Sequence, residues 1–425
     1  MINRKVAILG GGFTGLTAAF KLLKKGYQVT IFEKENDIGG LAKGFKLFDW
    51  EWALEKSYHH WFTNDSTILH LAKEIDHKVH IIRPRTDVYI NGKLYPFDSV
   101  FSLLFFRSLS FIERLRVGFF SLYLKLISNP SIFERKTALT WIKQFMGHKA
   151  TKLIWDPLFS AKFGSYKNRI SLVWFWARIK KRTFSLAYPE GGFKAFADHL
   201  NQRIKKLGGE VKLNSQVTGL KSLKSGILII TSGKSFKFDE AIVTLPSPVF
   251  SKIAQGLPKN YIKRINSVKH LHAQVLVLIL KKQFMKKTYW LNITDKKFPF
   301  LVLVEHTNFI NKKFYSDKHI LYVGNYLHPD HPNLSLNAGS LLKKFDPYLK
   351  KINPDYRQNI LSYKLFIDPY AQPVFTTDYP KKIPIFQTPL KGIYISNLDM
   401  VYPWDRGTNY AVELGEKIVD VMEQP

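Results

Sequence analysis

The chain has 425 residues, 45% of them hydrophobic and 23% charged, and contains no cysteine. That length and apolar content exclude a disordered or fibrous protein and suggest two or three domains of roughly 150 residues each. The missing thiol excludes disulfides, thiolate metal sites, iron–sulfur clusters and CxxC redox relays. Net charge is +31, from 64 Lys and Arg against 33 Asp and Glu. The lysines fall in scattered pairs such as Lys24-Lys25, Lys180-Lys181 and Lys343-Lys344, which reads as a solvated surface rather than a dedicated nucleic-acid face. No uncharged run approaches the roughly twenty residues of a membrane span. The apolar run Val6 to Leu9 is also too short for a signal-peptide core, so a cytoplasmic protein is expected.

In chain order, Val6 to Leu9 reads as a buried strand, Leu16 to Lys24 as a helix ending at Gly26, and Val29 to Phe32 as a second strand, together one βαβ unit. Gly10-Gly11-Gly12-Phe13-Thr14-Gly15 fits GxGxxG between the first strand and the helix. Gly10 permits the tight turn, Gly12 lets the backbone approach a pyrophosphate, and Gly15 allows close helix–strand packing. The helix then starts with unpaired amides at Phe13 and Thr14 that suit a phosphate. Glu33 ends the second strand where a carboxylate can accept ribose hydroxyls. FAD and NAD share this fingerprint.

Farther on, Asp87 to Phe97 reads as a hairpin around Asn91-Gly92. Phe111, Leu115, Phe119, Leu122 and Leu126 recur at helical spacing, with Arg114, Gly118, Ser121 and Lys125 on the other side. Such a stripe is usually buried, so a core helix of the substrate domain is expected, with contact to an anionic membrane as the alternative. Residues 137 to 184 read as helical and aromatic. From Gly209 the period changes to two, giving short strands at 210–213, 216–220, 226–232, 235–238 and 241–245. Residues 273–280, 300–304 and 319–323 suggest a second sheet. Gly392 to Asn397 and Thr408 to Met422 form a closing strand and helix.

After Glu33 the chain runs Lys34-Glu35-Asn36-Asp37-Ile38-Gly39-Gly40-Leu41-Ala42. This resembles the GG-(R/L) extension of the flavin amine oxidase superfamily, which includes monoamine oxidase, protoporphyrinogen oxidase and phytoene desaturase. Tyr188 to Phe193, its following helix and the strand reaching Val217 resemble that superfamily's P-x-GG segment and its adenine-contacting Val. Gly392 to Asn397 resembles its last strand before the flavin ring, G-x-Y-x-A-G-D, but with Asn397 and Leu398 in place of Gly and Asp. The ribitol contact thereby passes to Asp399 or Asp405. A close variant of Pro403-Trp404-Asp405-Arg406-Gly407-Thr408-Asn409-Tyr410-Ala411 occurs in a group of bacterial FAD-dependent oxidoreductases that the chain resembles from end to end. In that stretch Gly407, Thr408 and Asn409 open a helix suited to phosphate or the flavin pyrimidine edge, and Arg406 can neutralise pyrophosphate or support an anionic flavin. Glu55 to Asp65 resembles the histidine loop of UDP-galactopyranose mutase, which places His59 or His60 against the flavin as proton carrier or hydrogen-bond donor. Two adjacent His do not fit metal-ligand spacing, and no metal is expected.

The resemblance implies an α/β plus α+β protein: a GxGxxG Rossmann-type FAD-binding domain from residues 1–60, 185–265 and 385–425, and an inserted mixed substrate domain with a helical subdomain from 61–184 and 266–384. It implies noncovalent FAD held by Gly10, Gly12, Phe13, Thr14, Gly15, Glu33, Lys34, Gly39, Gly40, Leu41, Val217, Asp405, Arg406, Gly407, Thr408 and Asn409. His59 and His60 are the candidate catalytic residues. The expected activity is hydride transfer from a small organic substrate to flavin N5, of oxidase, dehydrogenase or desaturase type. The alternative is a redox-neutral nucleotide-sugar mutase. Neither a particular electron acceptor nor a nucleic-acid partner is indicated.

Overall fold

The computed structural model describes residues 4–47 and 49–424. Strand Lys5–Leu9, helix Phe13–Lys24 and strand Gln28–Phe32 form the βαβ unit, with Val6 to Leu9 fully buried. The two strands sit at the centre of a five-stranded sheet in the order Glu210–Lys212, Gln28–Phe32, Lys5–Leu9, Glu240–Val243, Ile393–Ile395. Every pairing is parallel, so the carboxyl ends of the strands share one edge of the sheet, where α/β proteins bind their ligands. The short strands at 217–223, 226–231 and 234–238 stack beside it with Ala254–Gln255 as a four-stranded sheet.

A seven-stranded sheet runs in the order Ile360–Pro373, His270–Leu280, His319–Leu327, Val302–Glu305, Thr288–Ile293, Arg85–Ile90, Lys93–Pro96. Its last two strands are the hairpin turned at Asn91-Gly92, both in the left-handed region that such a turn demands. Strands Thr288–Ile293 and Ile360–Pro373 and helix Ala338–Ile352 were not anticipated. A three-stranded sheet of Trp61–Phe62, Leu186–Pro189 and Val79–Ile82 ties segments that the sequence reading assigned to different domains.

Helix Phe111–Leu126 forms where its pattern predicts, started by a reciprocal capping box between Ser110 and Glu113. Its burial is the reverse of that expected for a core helix. Val117 and Leu124 are buried, whereas Phe111, Leu115, Phe119, Leu122 and Leu126 are all exposed. The helix packs on Leu172–Lys181 and Ala138–Phe145 through a second apolar row, including Phe120 against Trp141 and Phe145, and this leaves the longer stripe outside. Among the described residues no helix is long and apolar enough to cross a membrane.

Glu55, on the short strand Leu54–Glu55, shows how tightly the two sheets are joined. It is buried, accepts hydrogen bonds from Tyr188 Oη and the Phe193 amide at 2.9 Å, and its own carbonyl accepts one from Tyr322 Oη at 2.8 Å. Burial raises its carboxyl from 4.5 to about 7. Between those values the folded state keeps a proton that the unfolded chain has released, so this contribution to stability is complete below 4.5 and lost as pH rises through 7. Glu55→Gln is expected to remove that part of the pH slope, worth about 2–3 kcal/mol, in urea unfolding compared at about pH 5 and about pH 8. An unchanged slope would reject the assignment.

Candidate active site

The carboxyl edge of the parallel sheet opens on a cavity of about 1220 Å³, beyond the roughly 300–1,000 Å³ of an ordinary small-molecule pocket. Gly10, Gly12, Phe13, Thr14, Glu33, Lys34, Gly39, Gly40, Leu41 and Val217 all line it. Gly10 has φ of +112°, and a Cβ there would stand 2.5 Å from Thr244 Oγ1, so only glycine makes this turn. Helix Phe13–Lys24 starts at Gly12 without a side-chain cap, which leaves its first amides available to an anion in the cavity. Glu33 is buried and held from two sides: Oε2 accepts from the Gly11 amide at 2.7 Å and Oε1 from the Glu35 amide at 3.0 Å.

A second wall comes from residues 402–411. Trp404 stacks on Trp176 at 5.1 Å and on Tyr410 at 5.9 Å, which clamps this loop to helix Leu172–Lys181. Asp405 receives hydrogen bonds from Arg178 at 2.6 Å, Trp174 Nε1 at 3.0 Å and Gln372 at 3.2 Å, and Lys162 Nζ lies 3.8 Å away. Burial alone would raise this carboxyl, but Lys162, Arg178 and the two N–H donors outweigh it and hold it at about 2. Lys162 is also enclosed by the faces of Trp174 at 4.8 Å and Tyr326 at 5.0 Å. Burial, with Arg178 and Arg406 nearby, overrides Asp405 and lowers its ammonium to about 7. The Arg406 guanidinium lies 4.9 Å from the centre of the Tyr326 ring and forms no ion pair among the described residues. Gly407 and Thr408 then present the amino end of helix Thr408–Glu423 to the same cavity.

Tyr58, His59 and His60 form a third wall. His59 Nδ1 donates to the Ser57 carbonyl at 2.6 Å, which leaves Nε2 as the acceptor. His60 Nδ1 is 3.1 Å from Tyr289 Oη. Burial, reinforced by Arg406, lowers His59 to about 4. Burial and the adjacent His59 lower His60 to about 3. Both imidazoles are therefore neutral at pH 7 and enter the site as hydrogen-bonding groups, not as standing cations.

The sequence profile of the family described as flavin containing amine oxidoreductase matches residues 13–397. The chain belongs to this family. Solved structures similar to this flavin-containing amine oxidoreductase include a reduced UDP-galactopyranose mutase, with a TM-score of 0.77 at 15% identity over 99% of this chain and 95% of that one. Another is a putrescine oxidase bound to putrescine, with a TM-score of 0.73 at 15% identity over the whole of both chains. Such identities show a shared fold. Among curated proteins, 4,4'-diapophytoene desaturase (4,4'-diaponeurosporene-forming) of Staphylococcus haemolyticus is 54% identical over 41 residues. That stretch is 10% of this chain and spans only 8% of the desaturase.

As a family member the protein is a flavin oxidoreductase, and its structure brings most of the residues singled out in the sequence to one cavity. Two lie behind the wall. Gly15 packs against the Gly10 carbonyl, where a Cβ could not fit, so its part is to seat the helix on the turn. Asn409 is buried and its Oδ1 accepts from the Ile68 amide at 3.0 Å, capping helix Ser66–Glu74. Asp399, a candidate for the ribitol contact, already accepts from His270 Nε2 at 2.5 Å and from Ser247 Oγ. Sequence reading missed Lys162, Arg178, Trp174 and Tyr326, because no local motif marks residues that meet only through tertiary packing. Asp405→Asn is expected to cost about 3 kcal/mol by leaving Lys162 and Arg178 without their counter-charge and to lower the Lys162 ammonium further. Urea unfolding tests the first effect. A pH titration of Lys162 reactivity tests the second, and unchanged values for both would reject the pairing.

Proposed function

We propose that the chain binds FAD noncovalently and oxidises a small organic substrate by hydride transfer, as an oxidase, dehydrogenase or desaturase. The observation that carries this reading is the convergence of two helix amino ends, at Gly12–Thr14 and Gly407–Thr408, on a cavity that also holds Glu33 and Arg406, which has no ion pair among the described residues. The cradle fits an elongated dinucleotide. Glu33, fixed by two amides, is placed to accept ribose hydroxyls; the glycine backbone leaves room for a pyrophosphate; Val217 offers an apolar contact to a base; Lys34 adds positive charge. The chemistry supplied by bound flavin is acceptance of a hydride from a substrate carbon at N5. With no cysteine in the chain a cysteinyl link is ruled out.

This chain's residues bind, orient and dry the site. Arg406 places positive charge where negative charge develops. His59 Nε2 and the His60 ring provide neutral acceptors or donors for a proton moving at the substrate, their charge suppressed by burial. Tyr58, set edge-on to Trp290 at 5.0 Å, closes the wall beside them. The parallel sheet draws only on residues 1–60, 185–265 and 385–425, which supports their reading as the FAD-binding domain. The seven-stranded sheet supports residues 61–184 and 266–384 as the substrate domain.

A second reading, a redox-neutral nucleotide-sugar mutase, is favoured by Lys162 and Arg178 at the carboxylate of Asp405 with Arg406 near Lys162, a cluster able to hold a diphosphate. Anaerobic mixing separates the two. Substrate alone is expected to bleach the flavin absorbance in the oxidative reading, whereas a mutase stays yellow and converts UDP-sugars only after dithionite reduction. Arg406→Ala is expected to lower the flavin midpoint potential, and an unchanged potential would remove Arg406 from that role.

Heating the purified protein is expected to release a yellow compound with the mass of FAD. Glu33→Ala should retain the fold while losing FAD on dialysis, since a charge-assisted hydrogen bond contributes about 1.5–3 kcal/mol. A colourless protein that binds NAD would overturn the cofactor assignment.

A further inference from the structure

Helix Phe111–Leu126 has three faces. At about 100° per residue, Phe111, Ile112, Leu115, Phe119 and Leu126 fall in one sector of about 100°, and all are exposed, Ile112 by 76% and Leu126 by 69%. Val117, Phe120 and Leu124 fall opposite and pack inward. Between the two sectors Gly118, Ser121 and Lys125 line the cavity, joined by Leu122 from within the outer sector. The preceding helix, Val100–Leu104, extends the outer face: Phe101 is 74% exposed and the adjoining Phe105 is 75% exposed. Isolated exposed apolar residues are ordinary, but a contiguous patch of large ones marks an interaction surface.

Charge identifies what covers it. From residue 100 to residue 152 there are nine Lys and Arg against two Glu. Arg107, Arg116, Lys125, Arg135, Lys136, Lys143, Lys149 and Lys152 are all exposed. A second copy would bring like charge against like, while an anionic lipid surface offers both an apolar interior for the phenylalanines and counter-charge for the bases. We propose that the outer face of helices Val100–Leu104 and Phe111–Leu126 docks on an anionic bilayer, with the cavity walled by the latter helix standing at the lipid interface. In that orientation an apolar substrate reaches the site from the lipid and not from water. The inference goes beyond the flavin reading and does not depend on its reaction type.

The test uses the full-length, flavin-loaded protein and vesicles of phosphatidylglycerol and phosphatidylcholine in equal parts. At low salt the protein is expected to co-sediment with these at least roughly tenfold more tightly than with pure phosphatidylcholine. The fourfold variant Phe111→Ser, Ile112→Ser, Phe119→Ser, Leu126→Ser should lose that binding while keeping its flavin absorbance. Because the chain has no cysteine, Ile112→Cys and Lys234→Cys each carry one environment-sensitive dye. Vesicles should shift the emission to the blue at Ile112→Cys and leave it unchanged at Lys234→Cys. Absence of co-sedimentation at low salt, equal binding by the fourfold variant, or a dimer in solution that this variant dissociates would each overturn the proposal. Flavin content is read independently, so a colourless protein bears on the cofactor and not on docking.

Discussion

The close approach of two helices governs the site. Gly415 in the last helix faces the Thr14 carbonyl in the first, and a Cβ at Gly415 would stand 2.6 Å from that oxygen. Helices Phe13–Lys24 and Thr408–Glu423 can therefore approach backbone to backbone, and their amino ends both reach the wall of one cavity. Two sets of unpaired amides, from segments far apart in sequence, become a single positive lining. Side-chain cations of the cavity wall are added to a backbone field that this contact already sets.

Around that lining several charged or ionisable groups are fixed by specific partners or by burial. Glu33 is held by backbone amides, Asp405 by Arg178 and Lys162, and His59 and His60 are kept neutral by burial. Arg406, like Lys56 over Phe366, is a cation of the cavity wall that meets an aromatic face and forms no ion pair among the described residues. In a low-dielectric pocket an uncompensated guanidinium is costly, and it becomes favourable once an anion lies beside it. The same loop that carries Arg406 is fixed by the Trp176–Trp404–Tyr410 stack, so its position does not wait on a ligand.

How much of this was legible depended on whether the signal was local. The βαβ unit, Glu33, the hairpin at Asn91-Gly92 and the closing strand and helix could be read because turn glycines, period and spacing lie within a few residues of each other. Strand Ile360–Pro373 escaped because it is an edge strand, largely exposed along its first half and bearing Lys364, Asp368 and Pro369, so it lacks the apolar run of a central strand. The outer stripe of helix Phe111–Leu126 was correctly seen as a stripe, but its direction could not be read: two apolar rows share that helix, and only packing against Trp141 and Phe145 decides which one turns inward. Asn409 reads as a ligand residue by its place after Gly407 and Thr408, yet a neighbouring helix needs its oxygen as a cap.

The order of the strands has a consequence for the timing of assembly. In the parallel sheet, Lys5–Leu9 is flanked by Gln28–Phe32 and by Glu240–Val243, and the sheet is closed only by Ile393–Ile395. The helix that follows supplies the second set of amides. The closing strand pairs with the comparatively near Glu240–Val243, whereas the packing of that last helix, Thr408–Glu423, on Phe13–Lys24 joins segments at opposite ends of this sequence. Such distant closure is slow to nucleate, so the cleft is completed late in folding and its apolar halves are shielded only then.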